Sequence, residues 1–302
     1  MTAQGTQSLS VERLRRDGES FMQEISREYY EAHAGLKPTA ELRAVYDRHA
    51  AILGRDALEM VVEELRAAAP GTEEHRSARL LTDWLAESQS ARELTTLDER
   101  QIAWEGSAVV RLPDGREVPF ERAAIDMANS TNRQERLLIQ AARAKLVERE
   151  LSPLRQERFE RERDITELLG LAEDYNGTFE LLSGISLIEL RAACERFLSD
   201  TEGMWADVLP GFLRRRLGIK PSDATRADAL ALFRAREFDE AFPDAAMEGG
   251  VSRQVREMGI DPLAGGRIRL DTGERAGKRS RAFCAPVRVP GEVYLVLRPH
   301  GG

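Results

Sequence analysis

With 302 residues, of which 42% are hydrophobic and 32% charged, the chain is long enough for two domains and too rich in core-forming residues to be disordered. Its 44 basic and 52 acidic residues are interleaved, so a net charge of −8 comes with no basic face on which nucleic acid could condense. No stretch approaches the roughly 20 apolar residues that span a bilayer, and the opening MTAQGTQSLSVERL lacks the order of a secretion signal, so a cytoplasmic protein with no membrane partner is expected.

Val11, Leu14, Gly18, Phe21, Ile25 and Tyr29 alternate at three- and four-residue spacing, which predicts an amphipathic helix over about Ser10 to Ala34. Pro38 reads as the opening of a second helix whose stripe is Leu42, Val45, Tyr46, His49, Ile52 and Leu53, so His49 is expected as a hydrogen-bonded core histidine. A third helix is predicted from Arg55 to Ala69, stopped by Pro70-Gly71, and a fourth from Glu73 to Ser88. Ala108 to Leu112 and Arg116 to Phe120, joined by Pro113-Asp114-Gly115, read as a β-hairpin.

Helices resume at Phe120 to Asn129 and Asn132 to Leu151, after which Pro153 interrupts, or opens, a charged helix reaching Leu169. Within it Glu157 to Asp164 alternates charge as a solvated helix face does. Further helices are predicted at Leu187 to Asp200, Trp205 to Leu217 and Arg226 to Ala235. From Gly249 onward glycine, proline and β-formers predict strands at Arg267 to Asp271, Ala282 to Val289 and Glu292 to Arg298, the last two joined by Pro290-Gly291 in a type II turn. The expected fold is mostly α, a helical bundle or array with one small hairpin and a short C-terminal sheet. Its expected divisions are a helical bundle at 1–95, a hairpin with helices at 96–203, and a segment ending in strands at 204–302.

Chemistry is sparse in the sequence. The four histidines, His33, His49, His75 and His300, include no pair four residues apart, and no HExxH is present. Cys194 and Cys284 are too far apart for a paired metal-ligand motif, and Cys194 shares a helical stripe with Leu187, Leu190, Phe197 and Leu198 that predicts a small core residue. Gly273 to Ser280 superficially resembles a phosphate loop but is one residue short, with no hydroxyl directly after Lys278, so a basic turn between strands is expected.

Three segments carry a family resemblance. VVRLPDGREVPFERAAIDMANSTNRQERLLIQAARAKL, with Arg133 and Arg136 opening its second helix, is similar to the pre-catalytic region of oligoendopeptidase F and thimet oligopeptidase. LLGLAEDYNGTFELLSGISLIEL, through Leu169, Gly170 and Tyr175, resembles a helical segment of the same zinc metallopeptidases, and LDTGERAGKRSRAFCAPVRVPGEVYLVLRPHGG resembles the strands they place just ahead of the zinc helix. Arg281 stands where the family usually has glycine, and Ala224 to Phe242 lacks its aspartate-tyrosine signature.

The resemblance implies the front portion of a zinc-dependent oligopeptidase, ending before the HExxH whose histidines and a later glutamate bind zinc and whose own glutamate activates water. In that reading the C-terminal sheet begins the peptidase catalytic lobe. Zinc is expected only in the complete protein and no cofactor in this chain. The partner is a peptide substrate, and Arg281, Phe283, Cys284 and Ala285 are the candidate substrate-binding residues on an edge strand. The other expectation is a helical scaffold or interaction protein with no enzymatic activity.

Overall fold

The computed structural model describes residues 9–241, 243–261, 264–279 and 281–297. Phe242, Ser280, Arg298, His300 and the terminal glycines lie outside the described residues. The described chain is predominantly helical, with a two-stranded hairpin and a three-stranded mixed sheet. It divides into two compact units, each assembled from separated segments: the first takes residues up to Glu28, Glu41–Arg100 and Leu154–Ala193, the second Tyr29–Ala40, Gln101–Pro153 and Cys194 onward. No helix among the described residues is long and apolar enough to cross a membrane.

In the first unit, α1 (Val11–His33) as far as Glu28, α2 (Leu42–Arg48), α3 (Arg55–Ala67) and α4 (Glu73–Ser107) as far as Arg100 turn apolar residues inward. Leu14, Phe21, Val45, Val61 and Leu85 are all but inaccessible to water. Phe21 meets the rings of Tyr46 and Trp84 at centroid distances of 5.1 and 6.2 Å, arrangements in which the positive edge of one ring approaches the negative face of another. A Cβ on Gly18 would sit 2.8 Å from Trp84 Cη2, so glycine lets the indole lie against the α1 backbone. Two expectations shift here. The second helix starts at Leu42 rather than near Pro38 and ends at Arg48, while Ile52 and Leu53 remain buried from the irregular turns that follow. The fourth helix runs on far past Ser88, because neither glycine nor proline follows before Gly106, and Leu94 and Leu97 keep supplying core contacts to Leu154 and Ile165 of α7 (Ser152–Leu169).

His49 is the hydrogen-bonded core histidine its spacing predicts, with Nε2 2.9 Å from Glu24 Oε1 and its ring edge-on to Phe21. In the predicted solvated run, Arg158 donates to Asp98 at 2.6 Å and to Glu162, four residues on, at 2.5 Å. The unit is completed by α8 (Tyr175–Ser183), which the Asp174 side chain caps by accepting from the Gly177 amide.

In the second unit the hairpin strands β1 (Val109–Arg111) and β2 (Glu117–Pro119) pair antiparallel, with Val110 opposite Val118. Gly115 takes the positive φ of 86° that closes the turn. Val110, Leu112 and Val118 are buried with Phe120, Ala123 and Met127 of α5 (Phe120–Asn129) and Ile139 of α6 (Arg133–Leu146). Helix α6 continues through a π turn, Val147–Leu151, in which the Ser152 amide bonds the Val147 carbonyl. The wider turn stands immediately before Pro153, whose ring would press on a carbonyl of a regular α-helix and which has no amide to donate.

Against α5 and α6 packs α10 (Arg226–Arg234). Its Asp228 is wholly buried and accepts from Arg133 Nε and Nη2 (3.1 and 3.0 Å), Arg136 Nη2 (3.0 Å), and the Thr225 amide and hydroxyl (3.0 Å each). Burial works against its charge, but the two guanidinium groups and Thr225 outweigh it and hold its pKa low. The two arginines singled out as a helix-opening motif thus serve as a clamp on α10.

In the last third the structure departs further from the expected elements. The two helices predicted around residue 200 are one, α9 (Leu187–Leu217), with Pro210 inside it. Its apolar periodicity is helical, but Cys194, Phe197 and Leu198 are exposed, not core, since period specifies which residues share a face and not whether another element covers it. The glycine-rich stretch at Gly249 lies within a helix, α11 (Asp244–Glu257). The strands are β3 (Ile268–Asp271), β4 (Phe283–Arg288) and β5 (Glu292–Val296), in the order β3-β5-β4, with β3 parallel and β4 antiparallel to β5. Gly291 does not take the positive φ that a type II turn requires at that position.

Candidate functional site

At the turn between β3 and β4 the second unit builds a pinned loop beside an edge strand. Lys278 is 2% exposed, and its ammonium donates to the Asp271 carbonyl (3.0 Å), Asp271 Oδ1 (3.1 Å) and the Gly273 carbonyl (2.8 Å). Arg275 closes the other side, bonding Asp271 Oδ2 and donating through Nε to the Ala34 carbonyl at 2.7 Å. The basic turn is therefore folded in on itself. Its lysine is spent on internal acceptors and is not presented to a phosphate.

The end of α1 locks this loop in place. Gly35, at φ +70°, lies so close that a Cβ would meet the Ala276 carbonyl oxygen at 2.6 Å and the Lys278 amide nitrogen at 2.8 Å. The Arg279 amide donates to the His33 carbonyl at 2.9 Å. Tyr30 stacks on Tyr294 of β5 at 3.9 Å between centroids and donates its hydroxyl to Asp271 Oδ2 at 3.3 Å. Burial, with the neighbouring Asp271 charge, pushes the Tyr30 phenol up to about 12. Asp271 itself is drawn toward neutrality by burial, yet hydrogen bonds from Arg275 and Lys278 prevail and lower its pKa.

His33 lines a cavity of about 580 Å³ together with Lys37, Glu105, Ser107 and Arg279. Its ring is edge-on to Phe283 with centroids 6.0 Å apart, and its Nε2 is buried without a hydrogen-bond partner. Burial, reinforced by the Arg279 charge, lowers its pKa to about 4, so it is a neutral imidazole at neutral pH.

The four candidate binding residues do not converge. Phe283 begins β4 half-buried against the cluster of Tyr30, Ala34, Ala285, Val287 and Val296, and Ala285 lies inside that cluster. Cys284 faces the opposite side of the sheet and is exposed, while Arg281 is exposed at the bend before the strand. This alternation follows from the two-residue period of a strand. Phe283, Cys284 and Ala285 share β4 itself, with Arg281 just ahead of it, and β4 pairs only with β5 among the described residues and so offers its other edge. Pro286 is compatible with such a position, because an edge strand can spare one ladder donor.

Tyr30, His33, Gly35 and Asp271 belong to this site without any sequence pattern to announce them. Tyr30 and Asp271 are 241 residues apart, and no local signal marks two residues that meet only in the folded chain. Among the described residues no group of three or more His, Cys, Asp or Glu could hold a metal ion, so these residues do not fit zinc. Models of known families, curated proteins and solved structures yield no match to the chain. The fold and site define a mostly helical protein with a small mixed sheet whose edge strand stands beside a pinned basic turn.

Proposed function

We propose that the chain supplies the helical wall and the edge strand of a peptide-binding cleft in a zinc-dependent oligopeptidase of the oligoendopeptidase F type, with the zinc ligands carried by sequence outside it. The observation that supports this reading is the open edge of β4, paired on its other side with β5 and preceded by the turn that Lys278 and Arg275 tether. An extended peptide adds to such an edge through main-chain hydrogen bonds, which suits a protein acting on peptides of varied sequence. The exposed Cys284 and the half-buried Phe283 then border the bound strand. The cellular setting in this reading is the cytoplasm.

The deciding experiment is to read the coding sequence past Gly302 for HExxH, express the longer product, and assay fluorogenic oligopeptides with and without a chelator. Chelator-sensitive cleavage is the expected result. A longer product with no HExxH, or one with the motif and no peptidase activity, would refute the proposal. A second reading, a helical scaffold, is favoured by the exposed Ile188, Phe197, Leu198, Met204 and Trp205 of α9. It predicts that replacing Phe197 and Leu198 by serine abolishes self-association or partner capture while leaving the fold unchanged.

A further inference from the structure

Away from the sheet, helices α4, α7 and α8 of the first unit enclose a cleft of about 410 Å³. Asp83 and Glu87 line it one turn apart on α4, and Glu162 of α7 joins them. Like charges four residues apart on a helix repel and weaken it. Neither Asp83 nor Glu87 has an ion-pair partner among the described residues, and the one arginine in the wall, Arg158, is already shared between Asp98 and Glu162. The repulsion is felt at Glu87, where partial withdrawal from water and the Asp83 and Glu162 charges raise the pKa.

A second feature points the same way. Thr178 of α8 lines the cleft, is 2% exposed, and its Oγ1 has no hydrogen-bond partner. A buried hydroxyl left unpaired is costly, and a threonine in a helix ordinarily satisfies itself on a carbonyl one turn back. The rest of the wall mixes the hydroxyl side chains of Ser90, Thr166, Tyr175 and Ser183 with an apolar part that includes Leu94, Leu169 and Leu182. The cleft thus combines an apolar strip with unneutralised carboxylates and a spare hydroxyl acceptor, the requirements of a flexible aliphatic chain that ends in a cation.

We infer that this cleft receives the ammonium or guanidinium end of such a chain, carried by a lysine or arginine side chain of a peptide or by a free polyamine. The cationic head lies between Asp83 and Glu87, donating to both and to Thr178 Oγ1, and the methylene stem lies along the leucines. A bare metal ion does not suit the site, since Asp83, Glu87 and Glu162 are not gathered closely enough to hold one. The inference stands apart from the peptidase reading, because it uses no residue of the sheet or its turn.

The test is calorimetric titration of the full 302-residue chain at low salt with two probes, spermidine and N-acetyl-Ala-Lys-Ala-amide. One-to-one binding of at least one probe is expected, and the preferred probe identifies the source of the cation. Asp83→Asn and Glu87→Gln should each weaken binding about tenfold, the loss of one charge-assisted hydrogen bond, and Thr178→Val about threefold. Both carboxylate changes should hold or raise the melting temperature, which separates lost binding from lost fold. Glu59→Gln, in an exposed pair with Arg55, should leave binding unchanged. The inference is overturned if neither probe binds at millimolar concentration. It is equally overturned if Glu59→Gln weakens binding as much as Glu87→Gln, which would mark diffuse attraction to a net charge of −8.

Discussion

Replacing Lys278 by methionine keeps an unbranched stem of similar length in the same channel and removes only the ammonium. The change leaves the Asp271 and Gly273 carbonyls and one Asp271 carboxylate oxygen without the donor they now share at 2.8 to 3.1 Å. A buried acceptor stripped of its partner costs about 1–3 kcal/mol, and breaking a buried ion pair by removing one member costs about 3–5 kcal/mol. Arg275 still neutralises Asp271, which argues for the lower part of that span, about 2–4 kcal/mol in all. Urea denaturation followed by circular dichroism measures the loss. Hydrogen exchange locates it, with faster exchange expected at 271–288 and none at the hairpin. Asp271→Asn combined with Lys278→Met should cost less than the two changes added, because each removes the reason for the other. A Lys278→Met protein within about 0.5 kcal/mol of the parent, with unchanged exchange in β4, would refute the view that this lysine pins the edge strand.

Asp228→Ala strands the buried Arg136 and should cost about 3–5 kcal/mol, whereas Arg133→Ala, at a side chain 35% exposed, should cost about 1–2 kcal/mol; denaturation midpoints check the order. In the hairpin, Val110→Ser should cost about 2–4 kcal/mol and Val109→Ser, half-buried, under about 1 kcal/mol, and equal small losses would mean that the hairpin does not pack. The pH dependence should carry the signature of His33. Its folded pKa of about 4 lies below the unfolded 6.5, so the unfolded chain binds the extra proton between those values, and stability is present above pH 6.5 and falls as pH drops toward 4. Melting temperatures measured from pH 7 to 5, above the range where most carboxylates titrate, should decline in the parent and decline less in His33→Gln.

Helices, hairpin and strands were legible because each depends on neighbours in sequence. The 3.6-residue period placed α1, α5 and α10 nearly to the residue, Asp114-Gly115 marked the hairpin, and Pro153 flagged the π turn without revealing it. An apolar stripe does not say what will cover it, and there the sequence misleads. The stripe around Cys194 reads as core yet faces water, and Gly249-Gly250 sits in a helix despite the propensity against it. The candidate site divides in the same way. The strand β4 and its alternating faces follow from a local two-residue period, so Phe283 and Ala285 could be assigned to one face and Cys284 to the other. The tether of Lys278 to Asp271 closes within one turn, but the stacking of Tyr30 on Tyr294 and the close approach of Gly35 to that turn arise only when the end of α1 and the sheet, distant in sequence, are brought together. The chain's own pattern fixes which groups share a face. Burial, and with it the neutral His33, the charged Asp271 and the unpaired carboxylates of α4, is decided by what the tertiary fold lays against that face, because desolvation and charge pairing depend on distance in space and not on position in sequence.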